Sequence, residues 1–80
     1  MISKLKNASK VVGIKQSRKA VAAGKAACVF LAADADPHVV DPVERLCAEH
    51  QVPVERTASM RELGQACDIS VGAAVVALLR

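Results

Sequence analysis

Residues 26–34 read AACVFLAAD, eight apolar side chains in a row closed by a carboxylate. A surface helix would interrupt such a run with polar positions, and a half-buried strand would alternate. Its length, together with Val29 and Phe30, favours a strand buried on both faces, as in a parallel sheet. The rest of an 80-residue chain must then cover that strand from both sides.

The flanking segments read as that cover. Val11 and Val12 form a short strand that Gly13 ends. Residues 14–23 follow as a helix. Ser17, Ala20, Val21 and Gly24 share the face suited to packing on a sheet, and Lys15, Gln16, Arg18 and Lys19 take the other sides. After the apolar run, DADP supplies Asp36 as N-cap and Pro37 as first residue of a helix. Its stripe is Val39, Val40, Val43, Leu46 and Cys47. VPVERT is a third strand, with Pro53 near its entrance as at a sheet edge. SMRE is a capping box, Ser59 with Glu62, opening a helix that buries Met60, Leu63, Ala66 and Cys67. DISVG is a loop and AAVVALL the last strand. At the start, Ser3 caps a short helix with Leu5 and Ala8 inward. Helices alternating with short strands predict an α/β/α sandwich around a largely parallel or mixed sheet.

Composition sets the function classes. The chain is 52% hydrophobic and 24% charged, a globular balance, and its length allows one domain. No run reaches the roughly 18 apolar residues of a membrane span. MISKLKNASK lacks the apolar stretch of a secretion signal. A cytoplasmic protein is therefore expected. Cys28, Cys47 and Cys67 are odd in number and never paired as CxxC, so they read as small buried hydrophobes. His38 and His50 complete no metal-binding pattern.

Charge is divided along the chain. Residues 1–33 hold seven basic side chains and no acidic one, and residues 34–80 hold four basic and eight acidic. Such a split fits either an anionic partner for the first part or a solvated basic face. No catalytic constellation is present, and Gly13, Gly24, Gly64 and Gly72 are too scattered for a phosphate loop. Asp34, Asp36, Asp41 and Glu44 fit helix capping or a magnesium site. Phe30 is the one aromatic residue, which disfavours RNA binding by exposed stacking platforms. What remains is the start of the 14–23 helix. Its backbone N–H groups attract anions or base acceptors. Lys15 and Lys19 stand one turn apart, and Gln16 offers both a donor and an acceptor. An ordinary amphipathic helix with a charged outer face accounts for the same pattern.

GIKQSRKAV, VFLAADADP and VPVERTASMRELGQACDISVGAAVVALL, in that order and spacing, resemble the bacterial branch of the ribosomal protein L7Ae family, the kink-turn RNA-binding proteins. The resemblance covers nearly the whole chain. It implies a three-layer α/β/α sandwich with a four-stranded mixed sheet, and residues 1–80 as a single kink-turn RNA-binding domain. The implied role is non-enzymatic. A monomer without cofactor, membrane or small-molecule substrate binds kinked RNA with tandem G·A pairs, in ribosomal RNA or a structured regulatory RNA. By position, Gly13, Ile14, Lys15, Gln16 and Lys19 form the docking face. Arg18 is at most a flanking phosphate contact. Ile69, Ser70, Val71 and Gly72 cover the flipped-out base, although Ile69 and Val71 also fit a simple plug of the core. The chain departs from common family residues at Ile14, Lys15, Asp68 and Ser70. Asp68 stands where a glycine often ends the helix, and aspartate tolerates a left-handed backbone less well. The alternative is a protein-interaction adaptor on the same fold.

Overall fold

The computed structural model describes residues 9–56, 58–69 and 71–80. The elements run β1 (Lys10–Val12), α1 (Ile14–Ala22), β2 (Ala26–Leu31), α2 (Pro37–Glu49), β3 (Val54–Glu55), α3 (Met60–Ala66) and β4 (Val75–Leu79). The expected opening helix around Ser3, Leu5 and Ala8 lies outside the described residues. The sheet has four strands in the order β1-β4-β2-β3. β4 runs antiparallel to both β1 and β2, and only β2–β3 is parallel. The sheet is therefore mixed, because the last strand inserts between the first two instead of extending the parallel edge.

Neighbouring residues in a strand point to opposite faces. In β4, Val75, Val76 and Ala77 are all fully buried, and in β2 so are Val29 and Leu31, with Phe30 nearly so. Both faces of the central strands are thus covered. α1 packs on β4 and β2 and lies side by side with α2, and Leu63 of α3 is buried in the same core. This is the three-layer α/β/α sandwich. Val21, Val40, Val43, Cys47 and Leu63 complete its core.

β3 is shorter than VPVERT suggested. Only Val54 and Glu55 pair, with Val29 and Phe30. Pro53 sits just before them on the edge, and its carbonyl accepts from Val29 N–H at 2.9 Å. Burial pushes the thiols of Cys47 and Cys67 above their ordinary range, which keeps both protonated; Cys28 and Glu44 add to the effect at Cys47, and Lys10 opposes it at Cys67.

All three described helices end the same way. The third residue past each helix donates back to the carbonyl of its third-last residue: Lys25 to Ala20 (2.9 Å), Val52 to Cys47 (2.8 Å) and Ile69 to Gly64 (3.0 Å). The residue before each donor takes the left-handed conformation of a Schellman cap: Gly24 (φ 72°), Gln51 (φ 57°) and Asp68 (φ 62°). Gly24 is exposed in this cap and does not pack on the sheet as its spacing predicted. Asp68 adopts the left-handed shape without glycine. The helix starts match the sequence signals: Asp36 accepts from His38 N–H at 2.9 Å, and Ser59 and Glu62 form the reciprocal capping box.

A left-handed L-residue costs roughly 1–2 kcal/mol, part of which glycine returns as unfolded-state entropy. Gln51→Gly is expected to stabilise the protein by about 0.5–1 kcal/mol, read as a higher urea midpoint with an unchanged slope.

Candidate nucleic-acid interface

α1 begins without a side-chain cap. Gly13 is its N-cap, at φ 103° and ψ 159°, a region essentially closed to other residues. Nothing lies within 4 Å of where a Cβ would stand, so the demand for glycine comes from the backbone alone. Gly13 N–H donates to the Val75 carbonyl at 2.9 Å, and its own carbonyl accepts from Ser17 N–H at 3.0 Å. Among the described residues, the N–H groups of Ile14, Lys15 and Gln16 meet no acceptor. They form the positive end of the helix dipole, and no acidic side chain sits in the first turn.

The side chains there divide by face. Ile14 is half-buried against the core, and Ser17 is fully buried with its Oγ lacking a partner among the described residues. Lys15, Gln16, Arg18 and Lys19 are exposed. With about 3.6 residues per turn, Lys15 and Lys19 make one ridge, Gln16 stands to one side of it and Arg18 to the other. None of these cations forms an ion pair with a described residue, whereas Arg56 reaches both Glu44 (3.1 Å) and Asp41 (3.7 Å).

The second expected segment lies between α3 and β4. Ile69 is half-buried and packs on the core, Val71 is 69% exposed, and Gly72 is exposed. Ser70 lies outside the described residues. The segment rides on α3: a Cβ on Gly64 would collide with the Val71 carbonyl oxygen, and one on Gly72 would come within 3.2 Å of Met60 Cβ. Ala73 N–H donates to the Met60 carbonyl at 3.0 Å, and Met60 N–H donates to Asp34 Oδ1 at 2.8 Å. Met60 therefore stays at the surface, 37% exposed, and is not part of the helix's buried side as its spacing predicted. Leu63, Gly64 and Ala66 carry that side. Met60 and Val71 are the exposed large hydrophobics among the described residues. Nothing in the periodicity of the sequence distinguishes Met60 from its buried neighbours.

The Gly13–Val75 hydrogen bond brings the two segments to the same end of the sheet, because Val71 and Gly72 lead through Ala73 and Ala74 into Val75. Among the described residues, one segment offers unsatisfied donors and unpaired cations, and the other offers the exposed Val71 beside Met60. Together they complement a polyanion that also presents flat apolar surface.

The sequence matches the ribosomal protein L7Ae/L30e/S12e/Gadd45 family along residues 1–80. The chain belongs to this family. Among its relatives, a protein of Geobacillus sp. (strain WCH70) named as an RNA-binding protein is 50% identical over 70 residues, 88% of this chain and 85% of the relative. The RNA-binding protein YbxF of Geobacillus stearothermophilus is 46% identical over the same shares. Among solved structures, a Giardia lamblia 15.5 kD RNA-binding protein superimposes with a TM-score of 0.90 at 32% identity, covering 99% of this chain and 70% of that one. A Bacillus halodurans protein of unknown function gives a TM-score of 0.90 at 26% identity, covering 99% and 83%. Within this L7Ae-type fold, Gly13 and Gly64 are the residues on which the two segments depend for their course.

Two outcomes follow from this packing. Gly64→Ala should cost about 1–3 kcal/mol through overpacking and shift the amide resonances of Val71, Gly72 and Ala73 more than those of β2. Ser17→Ala removes a buried hydroxyl without a partner among the described residues and should raise stability by about 1 kcal/mol, seen as a higher denaturation midpoint.

Proposed function

We propose that this protein is an RNA-binding protein that recognises and stabilises kink-turn RNA, in ribosomal RNA or a structured regulatory RNA, with residues 1–80 acting as one binding domain. The observation that carries the reading is the uncapped, acid-free start of α1, with Lys15 and Lys19 unpaired among the described residues, next to the exposed Val71. The Geobacillus and Giardia relatives named as RNA-binding proteins support it.

The mechanism is positional. The deep groove of an ordinary A-form helix is too narrow for side chains to read. A kink next to tandem G·A pairs opens it, and the start of α1 enters. The free N–H groups of Ile14, Lys15 and Gln16 meet phosphate or base acceptors there. Lys15 and Lys19 neutralise phosphates on one ridge. Gln16 offers its amide to the G·A edges from the adjoining side. Val71, backed by Ile69 and Gly72 and bordered by Met60, covers the base that the bend expels from the stack. Ser70 belongs to the same cap. The protein works as a monomer in the cytoplasm, holding a shape and breaking no bond.

Titration against a kink-turn RNA, and against a control with Watson–Crick pairs in place of the G·A pairs, tests this at several salt concentrations. Tight binding to the first alone is expected, with a log–log salt slope of roughly −2 to −4 for a few phosphate contacts. Lys19→Ala should weaken binding and reduce the slope by about 1. Equal weak binding to both RNAs would reduce the role to a general basic surface. No binding to either would refute the RNA reading in favour of a protein-interaction adaptor.

A further inference from the structure

The outer faces of α1 and α2 enclose a groove of about 330 Å³ lined by Lys15, Arg18, Lys19, Ala22 and Leu46. That size falls at the small end of the range for ligand sites, roughly 300–1,000 Å³. Three of the five lining residues are cations, none is acidic, and none of the three cations is paired with a described residue. The other two form an apolar floor. Leu46 is half-buried, and the small side chain of Ala22 leaves the space above it open.

The groove lies on the Arg18 side of the Lys15–Lys19 ridge, away from Gln16, so it is continuous with the α1 face without being part of it. An apolar floor with cations at its rim has a specific complement. A lone inorganic anion would leave Ala22 and Leu46 uncovered, and an apolar ligand would leave three charges unanswered. A nucleotide satisfies both, with its phosphate among the cations and its base on the floor. Arg18 suits this further, since a planar guanidinium either forks onto a phosphate or stacks on a base.

We propose that this groove receives one nucleotide of the bound RNA strand as the strand continues past the α1 face. The phosphate sits among Lys15, Arg18 and Lys19, and the base lies against Ala22 and Leu46. The inference rests on the RNA reading above and extends its footprint by Arg18, Ala22 and Leu46.

Methyl-labelled protein titrated with kink-turn RNA tests it without altering the chain. Shifts of the Leu46 and Ala22 methyls together with the Gly13 and Gln16 amides are expected. Arg18→Ala, an exposed change that leaves the core intact, should weaken binding several-fold and lower the salt slope by about 1. Leu46→Glu should weaken it about tenfold. If the α1 amides move while the Leu46 and Ala22 methyls stay still, the groove is empty in the complex and the proposal is overturned, with kink recognition left standing. It is overturned equally if the methyls respond to adenosine monophosphate but not to RNA, or if Arg18→Ala changes neither affinity nor slope. If neither the amides nor the methyls move, the RNA reading itself fails.

Discussion

The antiparallel insertion of β4 between β1 and β2 is the constraint on which the architecture depends. β4 pairs along both of its edges and is buried on both of its faces, so it touches every layer of the molecule. Without it, β1 would have no partner strand, and Val29 and Leu31 would lose their neighbours on one edge. The proposed interface depends on it as well. Gly13 is anchored to the first residue of β4, and the apolar segment after α3 is the approach to that same residue. The expected binding elements are therefore the entrances to the best-buried strand, which lets their backbones be held firmly while their side chains face outward.

The sequence revealed the parts that obey local rules. The eight-residue apolar run became the central strand β2, Asp36 and Ser59 capped the helices that follow them, and Pro53 marked an edge. Features decided by tertiary contact were hidden. Met60 matches its helix's buried period, yet it sits where the chain folds back over the first turn of α3, so it ends at the surface. Gly24 has the spacing of a packing residue and serves as a helix stop. Gln51 and Asp68 show no glycine signal and still take left-handed caps, because the returning hydrogen bonds and the burial of Val52 and Ile69 outweigh the local strain. On α1, the exposed positions of Lys15, Gln16 and Lys19 were legible from helical period. The groove behind Arg18 was not, because Leu46 comes from a helix distant in sequence.

Folding also gives the charge split a physical meaning. In the acidic part of the chain, five of the eight carboxylates are occupied within the protein: Asp34 holds Met60 N–H, Asp36 caps α2, Asp41 and Glu44 hold Arg56, and Glu62 closes the capping box. Lys15, Arg18 and Lys19 have no such partners among the described residues. One half of the charge pattern thus builds the scaffold, and the other half remains at its surface, where an external anion gains the most.

Gly13 gives that surface a consequence of its own. The favoured way to end a helix is to let a serine or aspartate at the N-cap answer the helix's own first amides. At φ 103° such a side chain is excluded, so the chain cannot answer them itself. A self-made cap would act as a tethered competitive inhibitor, present at high local concentration and displaced anew by each incoming ligand. The glycine keeps that inhibitor out of the sequence. It leaves the first amides of the helix to solvent, so that a ligand at the proposed interface has only water to displace there.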